Sequence, residues 1–161
     1  MIELRKISIL DDNMKECIEL ELTPEQYNFV AHNAESLGEA YALNSKGINS
    51  VATAYAIYAD GLMVGFLMYG YFEKEFDDTY NEDCYYFWRF MVDKSHQGKG
   101  YGRQALAQML DEIRQMPNGK ADYCYTSYEP TNVVAKKLYE SFGFAETGQV
   151  DDGELVARMK L

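Results

Sequence analysis

The chain has 161 residues, with 15 basic and 26 acidic side chains for a net charge of −11, and 47% of its residues are hydrophobic. That length and composition suit one domain over residues 1–161 with a packed core and exclude a disordered chain; the acidity argues against nucleic acid and anionic membranes as partners. With no apolar run near the ~18 residues of a membrane span, no signal-peptide core behind MIELRK, and Cys17, Cys84 and Cys124 too scattered for a disulfide framework or a metal site, a cytoplasmic protein without metal is expected.

In chain order, Ile2 to Ile9 alternates as a first strand, and Asp11 and Asp12 offer an N-cap for a helix towards Leu22. Thr23-Pro24-Glu25-Gln26 starts a second helix, with Pro24 at its first position and Gln26 completing a capping box, running to about Tyr41. Val51 to Tyr58, Asp60-Gly61 and Met63 to Phe72 read as strand, turn and strand. An acidic loop from Glu73 to Asp83 leads to the aromatic run Tyr85 to Val92, which suits a strand covered on both faces. Ala105, Leu106, Met109, Leu110, Ile113 and Met116 then keep helical spacing until Pro117-Asn118-Gly119. Ala121 to Tyr128 is a further strand, and Pro130 precedes a helix whose Ala135, Leu138, Tyr139 and Phe142 share a face, closed by Gly143. Ala145 to Val150, Asp152-Gly153 and Leu155 to Leu161 form a final hairpin. Strands that alternate with helices in the middle and pair as hairpins elsewhere give a mixed α/β fold around one sheet.

Chemistry concentrates in Gln97-Gly98-Lys99-Gly100-Tyr101-Gly102-Arg103, between a buried strand and an amphipathic helix. Three alternate glycines remove the Cβ atoms that hold a ligand off the backbone. The helix start adds unpaired N–H groups and positive dipole, a setting for phosphate or pyrophosphate. Two nucleotide motifs fail here: a dinucleotide G-x-G-x-x-G needs glycine at Arg103, and a P-loop needs Ser or Thr at Gly100. A merely structural turn would account for one or two of the glycines but not for the added Lys99 and Arg103.

Phe90-Met91-Val92 followed by Gln97-Gly98-Lys99-Gly100-Tyr101-Gly102 resembles the acetyl-CoA motif of the GNAT N-acetyltransferase superfamily. Asn132, Ala135, Leu138-Tyr139 and Gly143-Phe144 resemble its second motif, at the family's spacing. Gln26 to Asn33, Trp88-Arg89-Phe90-Met91, Ser127-Tyr128-Glu129-Pro130, and Thr147-Gly148 with Gly153-Glu154 are similar to bacterial diamine, spermidine and spermine N-acetyltransferases. This resemblance implies a mostly antiparallel mixed sheet flanked by helices, acetyl-CoA as the acetyl donor, a small amine as partner and, as often in the superfamily, a homodimer. It also implies direct attack of the amine in a ternary complex.

The resemblance assigns the pantetheine arm to Phe90, Met91 and Val92, and the pyrophosphate to Gln97, Gly98, Lys99, Gly100, Tyr101, Gly102 and Arg103. Asn132 would touch the cofactor arm, and Tyr139 would touch it and protonate the departing thiolate. A phenol near pKa 10 is a competent acid for a thiolate near ~8.5. A base is also needed, since about one primary amine in a few thousand is neutral at pH 7. Some superfamily members carry glutamate where this chain has Ser127, so the base stays open: Glu129, or water through Tyr128 and Ser127. Glu25, Glu35, Glu73, Glu75 and Glu129 are candidate substrate carboxylates, the loop set including Asp77 and Asp78 being equally a solvated face. His96 is expected in solvent, and the cysteines buried and inert. Acetylation of another amine (an amino acid, an aminoglycoside, a protein N-terminus) or a non-catalytic acyl-CoA sensor are the alternatives.

Overall fold

Two sharp turns set most of the sheet. Asp60 and Gly61, both at positive φ (50° and 86°), join β2 (Val51–Ala59) to β3 (Leu62–Phe72), and Asp152 and Gly153 (46° and 90°) join β6 (Ala145–Asp151) to β7 (Glu154–Lys160). Two successive left-handed residues match the twist of paired strands, which is why Asp-Gly serves at both places. With β1 (Ile2–Lys6), β4 (Cys84–Val92) and β5 (Tyr123–Tyr128) they build a seven-stranded sheet in the order β1-β2-β3-β4-β5-β7-β6. Only β4 and β5 run parallel, as they must, because a helix crosses between them. The computed structural model describes residues 1–45, 50–74 and 80–161.

That crossing helix, α3 (Tyr101–Ile113), buries Ala105, Leu106, Met109, Leu110 and Ile113 against one face of the sheet. Each of the four larger side chains contributes roughly 1.5–3 kcal/mol through burial. On the same face, α4 (Val133–Glu140) brings Tyr139 into the core cluster with Phe87 and Phe144. The other face is covered by α1 (Asn13–Glu19) and α2 (Asn33–Asn44), around Cys17, Ala40, Phe66, Met68 and Met91. β4 is thus covered on both sides, in keeping with an apolar and aromatic run that Arg89 alone interrupts.

Three expectations change at the N-terminal end. β1 stops at Lys6, and Ile9 and Leu10 are exposed. The turn after β1 is held by Asn13, which accepts from the Ser8 N–H (2.9 Å) and donates to the Lys6 carbonyl (3.0 Å). The following helix ends at Glu19 rather than Leu22, and Asp12 sits in the left-handed region without capping it through its side chain. The Thr23 helix is two pieces. Its capping box forms, with the Thr23 N–H donating to Gln26, but only a 3-10 helix, Pro24–Asn28, follows, and α2 starts afresh at Asn33. Side-chain bonds outside the helical pattern override local helix preference here: Leu22 N–H donates to the Tyr27 hydroxyl five residues on, and buried Asn33 donates to the Cys17 carbonyl at 2.8 Å.

Candidate active site

The site begins where the sheet opens. β4 and β5 pair only at Tyr85–Cys124 and Tyr86–Tyr125. Past them side-chain bonds, from Thr126 Oγ1 to the Phe87 carbonyl (3.0 Å) and between the Tyr86 and Ser127 hydroxyls (2.8 Å), tie the two strands before they separate. A bulge coincides with the split: Tyr69 faces Phe87 and Met68 faces Arg89, leaving Trp88 as the extra residue on β4. Trp88 Nε1 and Arg89 both turn to Glu39 on α2, where one guanidinium nitrogen reaches both carboxylate oxygens at 2.9 and 3.0 Å. The strands diverge around a cavity of about 450 Å³ that is lined by the second half of β4, the end of β5, the glycine-rich loop and α4.

The glycine-rich loop is braced from below. Gln97 donates to the Val92 carbonyl (2.9 Å) and exchanges amide hydrogen bonds with Gln26 (2.9 and 3.1 Å). Asp93 accepts from the N–H groups of Glu21 (2.8 Å) and Ser95 (2.9 Å). Burial raises the Asp93 pKa, but those N–H bonds outweigh it and hold the carboxyl below its ordinary range. Gly98 and Gly100 both adopt positive φ (75° and 78°), and a Cβ on either would meet no protein atom within 4 Å. The loop therefore faces open space, and the first α3 bond, Gln104 N–H to the Gly100 carbonyl (3.3 Å), leaves the preceding N–H groups directed outwards.

Phe90, Met91, Val92, Gln97, Gly98, Gly100, Tyr101, Gly102, Asn132 and Tyr139 all line this one cavity. Lys99 and Arg103 are not among its lining residues. Lys99 reaches the Ser95 carbonyl at 3.4 Å, and Arg103 donates to Ser141 (2.7 Å) with its guanidinium over the Phe142 ring. Asn132 caps α4 by accepting from the Ala135 N–H (3.2 Å), so its amide NH2 keeps its donors. His96, expected in solvent, is half-buried and lines the cavity. All three cysteines are buried, and burial pushes the Cys17 thiol up to about 12.

Tyr139 packs edge-on against Phe87 (centroids 5.1 Å apart, 84°), and among the described residues its hydroxyl has no hydrogen-bond partner. Burial first, then the negative charge of Glu154, push its pKa well up, so it holds its proton.

Among the described residues, none of the carboxylates singled out from sequence lines the cavity. Glu25, on the 3-10 helix, and Glu35, on α2, are exposed; Glu129 precedes α4 and accepts the Asn132 N–H through its carbonyl (2.8 Å); Glu73 follows β3. Glu75, Asp77 and Asp78 lie outside the described residues. One carboxylate does line it: Glu154, at the start of β7. Its Oε2 accepts from Ser127 Oγ, which is 2.8 Å from the Tyr86 hydroxyl. Sequence reasoning passed over Glu154 as a site residue because β5 and β7 meet only in the sheet: Ser127 pairs with Val156, placing Glu154 on the same face one diagonal step away.

Residues 14–144 match the family model described as Acetyltransferase (GNAT) family. A probable spermine N(1)-acetyltransferase of Bacillus subtilis subsp. natto is 29% identical, and a spermine/spermidine N(1)-acetyltransferase of Bacillus subtilis is 28% identical, each over 92% of this chain and 93% of the relative. In fold, the chain resembles the PaiA N-acetyltransferase of Thermoplasma acidophilum, solved with coenzyme A, at a TM-score of 0.68 and 16% identity over 100% of this chain and 99% of that one.

Proposed function

Given that the chain belongs to the acetyltransferase (GNAT) family, we propose that it transfers the acetyl group of acetyl-CoA to a primary amine of a polyamine or diamine, such as spermidine or spermine. One observation carries this reading: a single cavity joins an unladdered strand edge, an open glycine loop at a helix start, a proton-bearing tyrosine and one carboxylate. The names of the two Bacillus relatives support the choice of amine.

The residues present fit acetyl-CoA. The loop at Gly98 to Arg103 offers backbone N–H groups and helix dipole for a pyrophosphate, with no protein filling the space above Gly98 and Gly100. Phe90 to Val92, freed from β5, leave a backbone edge for the amide-bearing arm, and a backbone N–H there is suited to polarise a carbonyl. Lys99 and Arg103 are assigned to the pyrophosphate through the backbone of that loop. Acetyl-CoA supplies an acyl group activated as a thioester. Tyr139 supplies a proton to the leaving sulfur. Burial weakens a phenol as an acid, but the thiolate it serves shares the same poorly solvated site and gains proton affinity in parallel.

Free-thiol release from acetyl-CoA, measured over a panel of spermine, spermidine, a diamine, a monoamine, an amino acid and an aminoglycoside, tests the reading. Polyamines are expected to give the highest kcat/KM. A monoamine, amino acid or aminoglycoside outrunning them would overturn the choice of amine, and no turnover of any amine would overturn amine acetylation.

A further inference from the structure

Glu154 lies outside the residues matched by the family model, 14–144, so no role for it comes with family membership. Among the described residues it is the sole carboxylate lining the cavity, and it forms no ion pair. Its position is prepared from two strands. Ser127 of β5 donates to Oε2, and the Tyr86 hydroxyl of β4 lies 2.8 Å from Ser127 Oγ, so the serine proton is directed to the carboxylate. Oε1 has no hydrogen bond from the described residues. The arginine on the cavity wall, Arg89, is neutralised by Glu39 and held by Ser36 (3.0 Å), so it does not compete for Glu154.

We infer that Glu154 is a catalytic residue that binds the substrate ammonium through its carboxylate and accepts its proton, with Ser127 and Tyr86 as positioning residues. This rests on the amine reading above. The ammonium passes one proton to Oε1, which leaves the nitrogen lone pair free. The C–N bond then forms as the thioester C–S bond breaks. The nitrogen loses a second proton while the sulfur gains one from Tyr139, whose hydroxyl is restored by that second proton, and the proton on Glu154 leaves to solvent. In water, transfer from an ammonium to a glutamate is uphill by about six pKa units. In a half-buried cavity the balance moves towards transfer, because two charges become two neutral groups where charge is poorly solvated. A single open oxygen is therefore more useful here than a fully paired carboxylate.

The geometry also predicts a rescue. Ser127 is in contact with Glu154, so a carboxylate carried by residue 127 would reach the same part of the cavity. Wild type, Glu154→Gln, and Glu154→Gln combined with Ser127→Glu are compared by steady-state kinetics with spermidine, or with the best amine of the panel, alongside calorimetric titration of acetyl-CoA. Glu154→Gln is expected to lower kcat by about 10²-fold, the scale of one general base, with acetyl-CoA affinity within about threefold of wild type. The double variant is expected to recover at least about tenfold of that loss. A Glu154→Gln enzyme that keeps wild-type kcat, or a loss that Ser127→Glu does not repair, would overturn the assignment. A wild-type protein that acetylates no amine would overturn the amine reading itself, a result visible before any variant is made.

Discussion

Of the carboxylates held by hydroxyl groups among the described residues, Glu112 and Glu154 lie on opposite faces of the sheet and differ in what they face. Glu112, on α3, accepts from the hydroxyls of Tyr55 and Tyr69, the latter at 2.8 Å. Both tyrosines lie in the main core cluster, and burial followed by the Glu112 carboxylate pushes both of their pKa values up. Glu154 has one hydroxyl partner, Ser127, and opens onto a cavity. The tyrosines divide in the same way: Tyr69 gives its proton to a hydrogen bond, whereas the Tyr139 hydroxyl has no partner among the described residues. A carboxylate that ties two core hydroxyls together closes a fold, and one with a single hydroxyl donor beside a void is available to a ligand.

That contrast predicts opposite phenotypes. Tyr139→Phe should lower kcat by about 10²-fold, as expected for loss of a general acid, with acetyl-CoA affinity within about threefold and unfolding by denaturant nearly unchanged. Unchanged turnover would remove Tyr139 from the proton path. Next in size, Glu112→Ala should cost about 2 kcal/mol in urea unfolding, because two core tyrosine hydroxyls lose their acceptor. Its kcat should stay within about twofold of wild type. A Glu112 variant that loses turnover while keeping stability would break the distinction between the two faces.

The sequence makes contiguous chemistry easy to see and cross-strand chemistry hard to see. Gly98, Gly100 and Gly102 stand close together before a periodic helix, and Asn132 and Tyr139 lie on or beside one short helix, so local spacing finds both sets. The two Asp-Gly turns announce their hairpins for the same reason. Ser127 and Glu154 meet only because β7 inserts between β5 and β6, an order no local pattern encodes. The split of the expected Thr23 to Tyr41 helix has the same origin. Asn33 answers to the Cys17 carbonyl and Gln26 to Gln97, and neither partner is within reach of a helical window.

A smaller effect tests the loop side of the cavity. Gly100→Val places a β-branched residue at φ 78°, where L-residues are strained by roughly 1–2 kcal/mol, and adds side-chain bulk above the glycine loop. Because nothing beyond its chain neighbours lies within 4 Å of that Cβ, the added group meets no clash with the rest of the protein, and the backbone strain is the cost to the fold. The loss should therefore fall on the ligand, as about a tenfold weaker acetyl-CoA affinity by calorimetry. Normal affinity would detach the loop from the pyrophosphate.

The smallest expected effect concerns charge outside the cavity. With a net charge of −11, the protein should draw a polycation towards the mouth of the site more strongly than a monocation. This attraction is long-range and screened over ~8 Å at physiological ionic strength, whereas the contact between an ammonium and Glu154 is short-range and partly shielded from solvent. Added salt should thus shrink the kcat/KM advantage of spermine over a monoamine by about threefold, mostly through KM, while the kcat deficit of Glu154→Gln persists at every salt concentration. Neutralising Glu73, Glu75, Asp77 and Asp78 together should mimic added salt, raising the polyamine KM and leaving the acetyl-CoA KM alone. If the advantage of spermine is independent of salt and the quadruple variant behaves like wild type, the acidic loop is a solvated face. Recognition of the polyamine then falls to groups inside the cavity, with Glu154 as the carboxylate among its lining residues.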